Sequence, residues 1–478
     1  MTAPLRAVID IGSNAIRFVV YGGSERAPTP IYNEKASISL GKAVGESGSI
    51  SQKLIEESCR ALARFALLNS AMKVAHCQTI ATAAVRDASN GKEFLTAARA
   101  IIPDIRLLTG DEEAVAGGHG ILAEFPNAQG IAADLGGGSL ELIRLTNGTL
   151  GHRVSVPMGT MKLKAMDSIP SRLADLTKDV PQSLSAPTDE LFLIGGAWRA
   201  MAKFDHILSD HPLPLIANHR INVSRLGALA DKAKDTDELK SIKGIPQARL
   251  ATLRDAIVLA SALAERFSAS HLIVSTSGIR EGLLFGVLPV EVKRLDPILE
   301  SVRYETAQQW RFAGFGDALF EWCRPLNLTN SPRAETLLRA TCYFADTAWA
   351  IQPDFRPIHA ARLALDGLWH GLMPEERIQI AYATFVACSG KTGWPEALNA
   401  YVSDDALKVG KRWGAAIRLA KRISAGEPGL LAKSSASQSG VKASLDYADD
   451  AAALNIASVE RRLKSLSQVL NTEGASYD

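Results

Sequence analysis

An aspartate followed two residues later by a glycine turn occurs twice in this chain, in Val8-Ile9-Asp10-Ile11-Gly12-Ser13-Asn14 and in Ala132-Ala133-Asp134-Leu135-Gly136-Gly137-Gly138-Ser139. Glycine lets the backbone approach a bound oxyanion, and successive N–H groups in such a turn form a concavity that attracts phosphate. An aspartate at the same bend would repel phosphate by itself. A bridging divalent cation with oxygen ligands resolves the conflict, and Mg2+ is the economical choice, held by Asp134 and Asp10 directly or through its waters. Two such turns imply a clamp on a metal-phosphate. The expected contacts are Gly12, Ser13, Asn14 and Arg17 from the first hairpin and Gly136, Gly137, Gly138 and Ser139 from the second.

Two further glycine turns, Gly195-Gly196 and Ser277-Gly278, lead from strand-like runs into helical ones, which aims helix N-terminal amides at an anion and adds Gly196 and Gly278 to the set. Thr109 and Glu112 have the capping-box spacing, which places Glu113 in the first turn of a helix. There the ionised carboxylate is favoured, so Glu113 is expected to be an available but weakly basic proton acceptor. Arg86 offers a planar fork of donors suited to phosphate oxygens. Each feature has a plainer reading when taken alone. A glycine turn is often only a turn, Glu112 and Glu113 could merely complement a helix dipole, and Arg86 could be a surface cation. Trp198, His359 and His370 read as packing or capping residues.

These residues need a scaffold, and the apolar patterning supplies one. β-like runs flank each hairpin turn (16–21 and 140–145), and strands are expected near 74–82, 105–108, 190–194 and 271–275. Helical spacing marks 52–68 and 92–101, with a polar, glycine-bearing loop at Gly41, Gly45 and Gly48 before them. Beyond about residue 300 leucine, alanine and arginine recur at helical spacing. The division expected is 1–125, 126–300 and 301–478, two similar α/β domains around a cleft and an all-α C-terminal domain. From Lys408 to Leu445 the only acid is Glu427, and Lys408, Lys411, Arg412, Arg418 and Arg422 form a candidate polyanion track. The tract 434–440, small and polar, reads as a loop.

A duplicated acid-glycine hairpin with two more glycine turns resembles the actin, Hsp70 and sugar-kinase superfamily. Five segments narrow it: Asp10-Ile11-Gly12-Ser13-Asn14, Ala83-Ala84-Val85-Arg86, Gly110-Asp111-Glu112-Glu113-Ala114, Asp134-Leu135-Gly136-Gly137-Gly138-Ser139-Leu140-Glu141 and Ser277-Gly278-Ile279-Arg280-Glu281-Gly282. Together, over roughly residues 1–300, they resemble the exopolyphosphatase and guanosine pentaphosphate phosphatase family. That resemblance implies duplicated actin-like domains flanking a cleft and Mg2+-dependent release of orthophosphate from the end of inorganic polyphosphate. It also implies Glu113 as the base, Arg86 as a phosphate contact, and Asp134 and Glu141 as holders of metal or water. Relatives carry a histidine-aspartate metal signature in the helical domain. Here Ala345 stands before Asp346 in place of that histidine, so the domain is of degenerate type.

Composition limits the alternatives. The 478 residues carry 53 basic and 51 acidic side chains, a net charge of +2, so only a local concentration of charge could attract a polyanion, and nucleic acid is not the expected partner. Five scattered cysteines without a CxxC pair argue against a disulfide framework and for a reducing cytoplasm. No window approaches the ~20 apolar residues of a membrane span. Relatives often form homodimers. The enzymatic alternatives are cleavage of the 5′ γ-phosphate of guanosine pentaphosphate and transfer of phosphate from polyphosphate to a nucleoside diphosphate. A non-catalytic actin-like nucleotide-binding protein is the alternative of another class.

Overall fold

Runs of valine, isoleucine and aromatic residues build the first sheet. β1 (Arg6–Ile11), β2 (Ile16–Gly23), β3 (Pro28–Ala36), β4 (His76–Ala81) and β5 (Ile105–Leu107) lie in the order β3-β2-β1-β4-β5. β1 is central: antiparallel to β2, parallel to β4, and buried at Ala7, Val8, Ile9 and Ile11. Helices Gln52–Ala71 and Gly91–Arg99 cover one face through Phe65 and Phe94, which meet Phe18 of β2 in a shared core. Full burial of each such side chain contributes about 1.5–3 kcal/mol.

The second sheet repeats this plan. β6 (Gly130–Leu135), β7 (Leu140–Thr146), β8 (Thr149–Val156), β9 (Glu190–Ile194), β10 (His219–Asn222) and β11 (His271–Ser275) run β10-β11-β9-β6-β7-β8. Read from the other edge, it is the same order with the antiparallel strand β10 added. The duplicated α/β architecture is therefore real down to strand connectivity. β3, β8 and β10 are the strands the sequence did not reveal; β3 is a largely exposed edge without a clean apolar alternation. The expected loop at Gly41 and Gly45 is a short helix, Leu40–Ser47, which Gly48 closes at a φ of 72°.

Two helices lie between the sheets. Gly110–Glu124 is buried on nearly every side and packs its Ala114, Ile121 and Leu122 against Ile143, Leu145 and Phe192 of the second sheet. The expected boundary at 125 assigns this helix to the first domain, whereas its core belongs to the second. Ile279–Gly286 sends Leu284 into a cluster with Val8, Val19 and Tyr21 of the first sheet. The two helices cross at glycines. A Cβ on Gly282 would lie 1.7 Å from the Ala116 carbonyl oxygen, and one on Gly120 would lie 2.5 Å from that of Gly278.

The computed structural model describes residues 3–234, 239 and 242–471. Its contacts divide the chain into Met1–Pro297, just described, and Ile298–Asp478. The second unit is mainly helical, with Pro332–Phe344, Pro374–Ala387, Asp404–Ser424 and Ala457–Asn471 among its longer helices. It is not all-α. β12 (Ser434–Ser439) and β13 (Lys442–Tyr447) form a hairpin where a loop was expected. Alternation there is of small residues, with Ala436 and Ala443 buried, and Gly440 supplies the positive φ of the turn.

Asp346 of this unit is buried and gripped by Arg311, whose Nη2 lies 2.7 Å from Oδ1 and Nε 3.0 Å from Oδ2; Lys421 Nζ stands 3.8 Å from Oδ1. Two cations thus occupy the surroundings of the residue that follows Ala345. Among the described residues no helix is long and apolar enough to cross a membrane, and the five cysteines are free.

Candidate active site

Both glycine turns close the same way. Gly12 N–H donates to the Ala15 carbonyl (3.1 Å) and Gly136 N–H to that of Ser139 (3.0 Å). Their carbonyl oxygens, which would repel an anion, are taken up from behind: Ser13 O accepts from Gly41 N–H (2.8 Å), Gly136 O from Thr160 N–H (3.0 Å) and Gly137 O from Met161 N–H (3.1 Å). The turns abut, since a Cβ on Gly137 would lie 2.8 Å from Ser13 Cβ.

Together they line one cavity of about 180 Å³. Gly12, Ser13 and Asn14 come from one side and Gly136, Gly137, Gly138 and Ser139 from the other, with Gly278 nearby. Asp10, Asp134 and Glu141 face it from the ends of β1, β6 and β7, and Glu113 enters from the first turn of its helix. Thr109 and Glu112 make the expected capping box there, with Glu112 Oε2 accepting from Thr109 N–H (2.8 Å).

Three expected contacts stand elsewhere. Gly195, not Gly196, lines the cavity; it holds a φ of 128°, and the second glycine leaves room for the Arg249 guanidinium, 2.6 Å from where a Cβ would sit. Arg17 lies one strand over from Asp10 and reaches Asn33 Oδ1 at 3.4 Å. Arg86 stands behind the wall, where its Nη1 donates to Glu113 Oε1 (2.5 Å) and to the Leu108 carbonyl (2.7 Å).

Burial governs the acids. It pushes Glu113 up to about 7 even though Arg86 opposes it, so the helix-terminus argument for a weakly basic carboxylate is overruled by desolvation. Glu141 is pushed up to about 8 by burial and by the neighbouring Glu113 and Asp134, while Ser155 Oγ donates to its Oε1 (2.8 Å). Asp134 rises to about 6 by burial, and Asp10 is raised for the same reason. Near neutral pH Glu141 therefore stays protonated and Glu113 is poised between its two forms.

That donor set, all oxygen and all acidic, suits a hard divalent ion. Among the described residues no three acids or other ligands converge tightly enough to chelate one. One or two carboxylates, with the shell completed by water and phosphate oxygens, is the mode in which Mg2+ is commonly held, and it needs no such cluster.

Two arginines that were not expected complete the wall. Arg280 follows Gly278, and its Nη1 is buried without a hydrogen-bond partner among the described residues. Arg199 follows Gly195, and burial lowers it to about 10. Both were written in the glycine-turn segments, a short step into the helix after each turn. Glu281 holds the Gly278 turn by accepting from its N–H (2.9 Å) and from Tyr21 Oη–H of β2 (2.6 Å). Only the fold could reveal that last contact.

The basic residues after Lys408 are distributed differently from a single open face. Lys408 is paired with Asp405 (3.0 Å), Lys411 is exposed, and Arg412 is half-buried. Arg418 and Arg422 turn towards the last helix, reaching Ser465 Oγ (3.4 Å) and Ser458 Oγ (2.8 Å).

Fold and site define a class: an α/β protein with duplicated sheets and an acid-lined cavity between paired glycine hairpins. Comparison with known proteins gives the family. Residues 19–291 match the model of the Ppx/GppA phosphatase family and residues 328–475 that of the exopolyphosphatase C-terminal region, and the chain belongs to the Ppx/GppA family. It is 24% identical over 436 residues to the retrograde regulation protein 2 of Saccharomyces cerevisiae, covering 79% of this chain and 72% of that one. In fold it is similar to a Ppx/GppA family member from Aquifex aeolicus, with 22% identity, a TM-score of 0.53, and coverage of 59% of this chain and 97% of that one. An exopolyphosphatase from Cytophaga hutchinsonii aligns with a TM-score of 0.53 at 20% identity, over 59% and 99% of the respective chains.

Proposed function

We propose that this protein hydrolyses the terminal phosphoanhydride bond of inorganic polyphosphate and releases orthophosphate, with Mg2+ bound. The observation that carries the reading is that Glu113, with basicity tuned to about 7, opens on the same cavity as both glycine turns. A general base works best when its pKa lies near the working pH. In the reaction a water oxygen attacks the terminal phosphorus, Glu113 accepts the water's proton, and the bridging oxygen leaves with the shortened chain. The backbone amides of the hairpins, with Arg280 and Arg199, offset the charge on the transferred group, which is the main demand of phosphoryl transfer. Asp134, Asp10 and Glu141 are the residues that would hold Mg2+, which supplies further neutralisation of phosphate charge.

Size favours a polymer over an enclosed nucleotide. A cavity of about 180 Å³ is smaller than the ~300–1,000 Å³ of pockets that surround whole small molecules, so it suits a terminal phosphoryl group with the rest of the substrate outside. The five free cysteines suit a reducing compartment.

A regulatory, non-hydrolytic reading has one observation in its favour: the Glu113 carboxylate is already engaged by Arg86. The likeness to the yeast regulation protein points the same way. Orthophosphate release from long polyphosphate, guanosine pentaphosphate and ATP, with and without Mg2+, decides among the readings. Rapid release from the polymer supports the proposal. Release from the nucleotide alone overturns it in favour of the guanosine pentaphosphate reaction, and tight binding without release favours the regulator.

A further inference from the structure

The two copies of the sheet plan correspond beyond their glycine turns. β3 ends at Ala36 and is followed by a helix that begins at Leu40; its counterpart β8 ends at Val156 and is followed by a helix that begins at Thr160. Gly41 and Met161 are therefore equivalent, each the second residue of its helix. Both donate their backbone N–H to a turn carbonyl, Gly41 to Ser13 (2.8 Å) and Met161 to Gly137 (3.1 Å). Ser13 and Gly137 are equivalent as well, since each follows the glycine whose N–H closes its hairpin. At these four positions the backbone is duplicated and the side chains are not.

The first copy has glycine on the helix and serine in the turn, whereas the second has methionine on the helix and glycine in the turn. Each side chain fills the space that its counterpart leaves open. A Cβ on Gly41 would fall on Met161 Cε, with Sδ 3.3 Å away, and one on Gly137 would lie 2.8 Å from Ser13 Cβ and 3.1 Å from Met161 Cε. Two hydrogen bonds within the copies and these packing contacts between them close into a ring of Ser13, Gly41, Met161 and Gly137. Ser13 and Gly41 are buried, and Met161, 36% exposed, covers the ring from outside. The ring opposes a repulsion, because the ionised Asp10 and Asp134 disfavour one another across the cavity. Close-packed contacts of this kind transmit a change of even one methylene.

We propose that Met161 is a positioning residue, a knob from the second copy seated on Gly41 of the first, which holds the two glycine turns at the spacing that one phosphoryl group requires. It acts through Ser13 and Gly137, and it rests on the phosphate reading of the cavity given above.

The test is calorimetric binding of orthophosphate, with Mg2+ present, to the full chain and to its Met161→Ala, Met161→Leu, Gly41→Ala and Gly41→Ala/Met161→Ala variants. When loss of the knob leaves about one molecule in ten with the turns correctly spaced, Met161→Ala binds about tenfold more weakly. Met161→Leu keeps an apolar atom near the place of Sδ and should bind within about threefold of the parent. Gly41→Ala should weaken the parent too, but by a smaller factor in the Met161→Ala background, because contacting residues do not act additively. A lowered melting temperature for Met161→Ala with orthophosphate affinity intact makes the residue packing alone and overturns the proposal. So do a leucine variant as weak as the alanine one, equal factors for Gly41→Ala in both backgrounds, or no orthophosphate binding by the parent. If the expected pattern appears in a chain that releases no phosphate from polyphosphate, the knob stands and the hydrolase reading falls.

Discussion

Glu113 and its acidic neighbours show how far a buried setting can move a side chain from what its sequence position suggests. The capping box and first-turn placement were legible from Thr109 and Glu112. The basicity was not, because burial comes from packing the helix against the second sheet, and the charges of Asp134 and Asp10 that add to it arrive from other strands. Glu113→Gln should lower kcat by roughly 10²–10⁴-fold with little change in KM, since it removes a proton acceptor and keeps the shape; steady-state kinetics on polyphosphate checks this. In the parent, kcat/KM should rise through pH about 7 as Glu113 ionises. The same acids make stability depend on pH. Glu141 and Asp134 have folded pKa values of about 8 and about 6, above the ordinary 4.5 and 3.8, so between those limits the folded state binds more protons than the unfolded one. Their contribution is fully present below pH about 4 and is lost as pH rises towards 8. Glu141→Gln should therefore melt about 2–4 °C above the parent at pH 8 for each ~1 kcal/mol relieved, and no higher at pH 4. A parent melting temperature that is level across this range, measured without ligand, contradicts the assignment.

Strands, turns and helices differ in how plainly the sequence announced them. β1, β2, β6, β7 and β9 were readable because each is largely buried and apolar, and β4 because its second half is buried. β3 and β8 were not, because as edge strands they lack a continuous apolar run. The glycine turns were readable as turns that meet at one cavity, but in the third a positive φ fell on Gly195, and Gly196 does not line it. Least legible was the contact between elements. Gly282, part of a recognisable motif, serves the crossing of the two central helices, where the Ala116 carbonyl leaves no room for a side chain. Gly282→Ala should destabilise the Met1–Pro297 unit by about 1–3 kcal/mol or more and reduce turnover, because the helix bearing Glu113 and the turn bearing Gly278 must shift apart. Gly45→Ala, with nothing within 4 Å of its Cβ and a helical backbone, should be neutral or stabilising by about 0.5–1 kcal/mol. Urea denaturation of both variants makes the comparison.

At the scale of the whole chain, the Met1–Pro297 unit could be anticipated because it contains one plan twice, and repetition makes a weak signal visible. The Ile298–Asp478 unit has no such redundancy. Its hairpin was hidden in serine and alanine, and its basic helix, read as an open track, spends Arg418 and Arg422 on the final helix and Lys421 on Asp346. Asp346→Ala should destabilise this unit by about 3–5 kcal/mol, because Arg311 and Lys421 would remain partly buried without their shared acid; Asp346→Asn should retain part of that loss. Thermal unfolding followed in the full chain tests the order. The resident guanidinium and ammonium also make this helical unit indifferent to divalent supply. Dialysis against a chelator should strip whatever ion the acid-lined cavity retains yet leave the C-terminal melting transition where it was.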